Sequence, residues 1–348
     1  MDPRSPRSAG VSASPGRDAW RRRALLGAFL ALSACSDYEG AGFSGESARA
    51  RCERLVAIGP RQPGSPGIRK AADLIVSDLR AIDPRLELKR QRFTQPEIAG
   101  STEFENLWVE IPPTPARSDA PILILAAHYD SKITHPGEQD FAFVGALDAA
   151  ASCAVLLELA KHLVGTAAQP FEVWLVFFDG EESLEWDWND AKALIGSRHF
   201  ARTLSADKAR FPTGIASRVK AMVLLDLLGD QVFKIDREKE SNPTLIDLFA
   251  RAAATLGLSE QVFRFETQVS GDDHIPFKQL GVRVIDLIDF QWRVPAQHRE
   301  GMPPEAKQYF PFWHTADDTM ERVSAASLAR IGDLILRALP LLAAEVVK

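Results

Sequence analysis

Phe171-Glu172-Val173-Trp174-Leu175-Val176-Phe177-Phe178-Asp179-Gly180-Glu181-Glu182 joins a near-continuous apolar run to three acids within four residues. A strand half-exposed to water alternates apolar and polar side chains, whereas one buried on both faces reads as an unbroken apolar stretch. The same signature recurs at Glu105 to Ile111, Ile122 to Ala127, Ala221 to Leu227 and Val282 to Ile288. Helical spacing separates these runs at Ala48 to Ile58, Ile68 to Ile82, Leu147 to Leu163, Leu194 to Arg202, Leu245 to Leu256 and Ala325 to Ala344. The alternation predicts an α/β fold, a three-layer sandwich whose central mixed, mostly parallel sheet is flanked by helices. In such sheets functional groups collect beyond the carboxyl ends of the strands. His128, the Glu181-Glu182 pair, Asp226 and Asp289 each follow or close an apolar run, as that rule requires.

At 348 residues, the chain accommodates one large catalytic domain, expected over 48–348. With 41 basic and 47 acidic side chains the net charge is −6, and no Lys/Arg block lies outside the N-terminus, which argues against a nucleic-acid partner. Arg21-Arg22-Arg23, the apolar run Ala24 to Leu32 and then Leu32-Ser33-Ala34-Cys35 read as a signal peptide over 1–35, too short to span a bilayer. Its last four residues resemble a bacterial lipobox, so Cys35 is the expected lipid anchor to a membrane. A plain secretory signal, or a start codon placed too far upstream, remain as alternatives. All of these readings export the protein to the bacterial cell envelope. Residues 36–47, rich in Gly and Ser, are expected to be a flexible tether. Of the remaining cysteines, Cys52 and Cys153 allow one disulfide at most, and Cys153 in an apolar helical stretch reads as a buried, inert thiol.

Zinc favours a compact set of histidine nitrogens and carboxylate oxygens, and a catalytic site keeps one position open. Asp148, Glu182 and His314 make such a set, and Glu181, an adjacent carboxylate off the metal, then serves to move a proton. Each also has a plainer reading. A Glu-Glu pair is usually a solvated surface feature, Asp148 suits a helix N-cap, and Asp317-Asp318 suit the cap of the final helix. Asp226, inside an apolar run, is harder to dismiss because an unpaired buried carboxylate is costly.

His128-Tyr129-Asp130-Ser131-Lys132, Phe143 to Asp148, Phe177 to Glu182, Gly196-Ser197-Arg198-His199, Leu224 to Leu227, Asp272-Asp273-His274-Ile275-Pro276-Phe277 and Trp313-His314-Thr315 together resemble the motif series of animal-type glutaminyl-peptide cyclotransferases, which share a fold with zinc aminopeptidases. The matches keep the family's order from about Arg61 to Asp318. The resemblance implies one zinc on Asp148, Glu182 and His314, with Glu181 as acid/base and Asp226 and Asp272 in a carboxylate network that shares a proton. It implies as substrate a peptide or protein bearing an N-terminal glutamine, and Trp313 with either Trp186 or Trp188 as pocket walls. A monomer is expected. Ala127 stands where many animal members have a cysteine that pairs with the one matching Cys153, so that disulfide is absent. The stretch Gln291 to Phe312 is longer than the family's loop and is expected to reshape the pocket mouth.

Two rival functions share the scaffold. A dizinc aminopeptidase would use His128 and Asp226 for a second metal with Asp148 bridging, and Asp130 beside them as ligand or support. A non-catalytic binding module would have lost metal ligands, and none is missing here.

Overall fold

The computed structural model describes residues 40–133, 142–166, 169–269, 271–290, 292–293, 308–309 and 312–346. The described residues all belong to one compact unit, Asp37–Lys348. The expected signal peptide, Cys35 and the start of the tether lie outside the described residues, as does most of the stretch from Gln291 to Phe312. The expected tether over 36–47 is shorter than its composition implied: α1 (Gly45–Val56) already begins within it, and the buried Phe43 donates its backbone N–H to Asp333 of the final helix.

The strands are β1 (Leu88–Thr94), β2 (Glu103–Ile111), β3 (Ile122–His128), β4 (Glu172–Phe178), β5 (Val219–Asp226), β6 (Ile235–Glu238), β7 (Val262–Thr267) and β8 (Val284–Ile288). They form one mixed sheet of eight in the order β1-β2-β4-β3-β5-β8-β6-β7. Its central strands β4, β3, β5 and β8 run parallel, while β2 joins β4 and β6 joins β8 antiparallel. Period 2 sends alternate residues to opposite faces. Leu123, Leu125, Val173, Leu175, Val223 and Leu225 face one core. Over that face lie α1, α2 (Pro66–Ile82), α4 (Ser152–Val164), α6 (Pro243–Thr255) and α8 (Ala325–Val346). Ile124, Trp174, Val176, Met222 and Leu224 face the other core, under α5 (Ile195–Ala206) and the short α7 (Ile275–Gln279). Both faces are covered, which is why these strands lack polar alternation.

The expected strands and long helices are present, with ends shifted by a few residues. What the sequence did not reveal are the outer strands. β1 reads Leu-Lys-Arg-Gln-Arg-Phe-Thr and is an edge strand whose Arg90 and Arg92 pair with Glu105 of β2, so it carries charges where a buried strand carries apolar groups. β6 alternates inward acids, with Asp236 and Glu238 buried, and β7 is an exposed edge; the short α3 (Pro96–Ala99) was also missed. The helix expected from Leu147 starts instead at Ser152, because Ala146–Ala151 wind as a wider π-type turn in which Asp148 and Ala149 leave helical dihedrals. Nor do Asp317-Asp318 cap the final helix; the Ser324 hydroxyl accepts from the Ser327 N–H instead.

Register aligns the business ends of the parallel strands. His128 pairs with Phe178, Asp226 with Ile288, and Ala126 with Leu224, so β3, β4, β5 and β8 finish on one level. The turn after β4 is clamped by α5, whose Leu194 and Ile195 N–H groups donate to the Glu181 and Gly180 carbonyls. Gly196 makes that approach feasible: a Cβ there would sit 2.1 Å from the Asp179 carbonyl oxygen and 2.6 Å from Asn106 Oδ1.

Gly196→Ala is expected to destabilise the fold by about 1–3 kcal/mol in urea unfolding. Gly165→Ala, whose Cβ meets only ordinary contacts at 3.5 Å, serves as the control and should change stability little.

Candidate active site

Asp148, Glu182 and His314 come from three distant segments and offer one ligand atom each within 4.8 Å of one another. His314 Nε2 lies 3.1 Å from Glu182 Oε1 and 3.6 Å from Asp148 Oδ2. His128, Asp148 and Asp226 form a second set at the same spacing, with His128 Nε2 at 3.1 Å from Asp148 Oδ1 and 3.3 Å from Asp226 Oδ1. The two sets share Asp148.

Backbone donors aim these acids. Asp130 belongs to neither set: it lies 3.4 Å from His128 Nδ1, and its two oxygens accept the N–H groups of Glu181 and Glu182, fixing the turn that carries the pair. Asp318 accepts from the N–H groups of Leu147 and Asp148. Gly145 holds a left-handed φ of +51° just before them, where a Cβ would meet the Asp148 carbonyl oxygen at 2.0 Å. The fully buried Arg61 ties the surroundings together by donating to the carbonyls of Tyr129, Val144 and Gly145. His314 and Leu227 take φ values of +53° and +51°, a sparsely populated region for residues with a Cβ.

A pocket of about 100 Å³ opens over this cluster. Glu181, Glu182, Asp148, Asp226, Asp272 and Lys132 form its polar side. Trp186, Trp188 and Trp313 all line it, so the tryptophans after the Glu pair are not alternatives. Trp313 stacks on His314 at 4.1 Å between ring centroids, and Trp186 lies 5.8 Å from the same ring. A wider cleft of about 740 Å³ runs past Asp83, Lys89, Glu110 and Glu172, far from this chemistry, where Arg210 and Lys89 already pair with the carboxylates.

Burial sets the protonation. Glu181 is pushed well above the usual carboxylate range by desolvation and by the neighbouring Glu182 and Asp272, against the pull of His128. Burial also works against the charge of Glu182, yet the His314 imidazole and the Lys132 ammonium 3.4 Å away draw it down to about 2. Asp148 rises to about 6 through burial and the charge of Glu182. Asp272 rises strongly through burial and the charge of Asp226.

The sequence did not flag Asp286, which stands mid-strand in β8, fully buried, where it meets Asp272, His274 and Asp226. Its signal was the one that exposed Asp226, an acid inside an apolar run. Asp318 and Lys132 were visible as residues but not as supports of Asp148 and Glu182. Cys52 and Cys153 are free buried thiols, and Cys153 donates to the His128 carbonyl at 3.0 Å.

The donor set suits a zinc ion: two carboxylates and an imidazole converge, and Asp148 Oδ2 and both His128 nitrogens are buried without a hydrogen-bond partner. Such atoms are costly unless a cation or proton serves them.

Residues 106–339 match peptidase family M28. A glutaminyl-peptide cyclotransferase-like protein of Bos taurus is 33% identical over 290 residues, 74% of this chain and 66% of that protein. The alignment thus spans just under two thirds of that relative's length. The crystal structure of an Acidobacteriales bacterium glutaminyl cyclase superposes with a TM-score of 0.73 at 33% identity, over 90% of this chain and 100% of that one. A Zn-dependent exopeptidase from Parabacteroides distasonis has the same fold, with a TM-score of 0.71 at 21% identity over 86% of this chain and 99% of that one.

A buried acid away from the donor sets dictates a pH dependence. Burial lifts Asp289 to about 8, so between the ordinary carboxylate range and about pH 8 the native state binds more protons than the unfolded one. A raised folded-state pKa gives stability that is complete below the unfolded value and lost as pH rises through the folded value. The urea midpoint is expected to fall between about pH 6 and about pH 9.

Proposed function

The chain belongs to peptidase family M28 and to the glutaminyl-peptide cyclotransferases with which it aligns, and from that premise we propose that it converts N-terminal glutaminyl residues to pyroglutamyl with release of ammonia. The observation that carries this reading is the pocket: about 100 Å³, three tryptophans for walls and five carboxylates on its polar side. That space takes one terminal residue, and the surplus of negative charge favours both a metal cation and a peptide's α-ammonium group.

Asp148, Glu182 and His314 would hold the zinc ion, which when bound supplies a Lewis acid for the side-chain amide carbonyl of the glutamine. Glu181 accepts a proton from the α-amine as that nitrogen forms its bond to the side-chain carbonyl carbon (Cδ), then returns a proton to the amide nitrogen, whose bond to Cδ breaks as ammonia departs. A carboxyl raised by burial is a stronger base for the first step and still carries the proton for the second. Beside it, burial and the charge of Asp226 raise Asp272 well above the usual carboxylate range, which favours its neutral form and lessens the negative charge facing the amine. Trp186, Trp188 and Trp313 exclude water from the reacting atoms.

The second donor set, His128, Asp148 and Asp226, supports one further reading, a dizinc aminopeptidase. The lipobox-like Leu32-Ser33-Ala34-Cys35 supports an exported enzyme anchored by lipid at Cys35 in the envelope; among the described residues, no helix is long and apolar enough to cross a membrane.

Assaying the purified protein with a glutaminyl peptide and an aminoacyl anilide decides between the two. Pyroglutamyl product with one zinc per chain is expected; free amino acid with two zincs overturns the proposal. Glu181→Gln should lower kcat by about 10²- to 10⁴-fold with zinc retained. Glu182→Gln should instead lose zinc on dialysis against a chelator.

A further inference from the structure

Beyond the reacting groups, the pocket has an apolar wall of Leu227, Val269, Ile288 and Phe290. Two of these, Ile288 and Phe290, flank the point where the chain leaves β8 and the long stretch toward Trp313 begins. An ion cluster sits behind that point. Lys234 Nζ lies 3.0 Å from both oxygens of Asp236 and also contacts Asp289, and Asp236 Oδ2 accepts the backbone N–H of Phe290 at 3.1 Å. Asp236 and Asp289 are buried, with side chains 0% and 2% exposed, and Lys234 is 12% exposed. Lys234 contacts both carboxylates, and burial still lifts Asp289 to about 8 against the pull of Lys234.

From this cluster a line of contacts runs into the site. Phe290 meets Trp313 edge-to-face at 5.1 Å, and Trp313 stacks on His314. On β6, Asp236 pairs in register with Ile288, so this member of the cluster is fixed to the sheet, with Lys234 and Asp289 one residue beyond the strand ends. A charged group of this kind is poorly justified as a stabiliser, since a buried ion pair often does no better than apolar packing. It does fix direction, because hydrogen bonds to a carboxylate are short and oriented.

We infer that Lys234 is a positioning residue for substrate binding: through Asp236 and Asp289 it sets the Ile288-Asp289-Phe290 turn, and through Phe290 it sets the Trp313 face against which the terminal residue of the substrate packs. This rests on the reading that the pocket takes that residue. The cluster touches none of the atoms that move protons, so it governs how well substrate is held and not how fast it reacts.

The test uses the full zinc-loaded protein. Lys234→Met removes the charge at nearly constant length. Lys234→Met/Asp289→Asn removes one carboxylate as well and keeps the experiment open should the single variant fold poorly. With a short glutaminyl peptide, KM is expected to rise about tenfold while kcat stays within about twofold, the signature of lost binding shared by ground and transition states. Lys234→Arg, which keeps the charge, should restore KM. Near-ultraviolet circular dichroism should change in Lys234→Met, and the change should vanish in a Trp313→Phe background. An unchanged KM and spectrum overturn the inference, as does a fall in kcat alone. Should the wild type form no pyroglutamyl product, the proposed reaction fails, and the Trp313-dependent spectral change still decides whether Lys234 sets this wall.

Discussion

Negative charge forced out of water is the constraint around which this molecule is built. Asp148, Glu181, Glu182, Asp226 and Asp272 converge on one pocket, with Asp286 behind them, and all are largely or fully buried. Like charges this close cannot all ionise without a cation or shared protons. The surroundings answer that demand with His128, His314 and Lys132 among the acids, and with two overlapping donor sets that suit a divalent metal.

The answer is mostly architectural. Parallel strands finishing on one level bring His128, the turn after Phe178, and Asp226 into a row. Two further acids, Asp130 and Asp318, then work as hydrogen-bond acceptors for backbone N–H groups, and so fix where Glu181, Glu182 and Asp148 point. The separation of roles within the Glu pair follows from this placement. Glu182 faces His314 and Lys132 and stays ionised, while Glu181 faces other acids and is lifted. Adjacent in sequence, the two carboxylates therefore have different electrostatic surroundings.

Residues differed in how legible they were. The central strands announced themselves because burial on both faces demands unbroken apolar runs. β1, β6 and β7 did not, because edge strands carry charge and β6 hides two acids inside. Asp318 was read as a helix cap because spacing to the final helix is all that sequence offers, whereas its partners, Leu147 and Asp148, lie some 170 positions away. Lys234 gave no signal at all, since its worth lies in facing Asp236 and Asp289 together.

By itself the sequence determined the layered α/β architecture, the identity of the acids and histidines at strand ends, and the family they resemble, because hydrophobic periodicity and local motifs are properties of neighbouring residues. Only the tertiary structure decided that Asp148 serves both donor sets, that Trp186 and Trp188 both reach the pocket, that Asp286 joins Asp272, and that an ion cluster around Asp236 stands behind Phe290. Each of these depends on distance across the fold, and charges act through space with an energy that chain position does not encode.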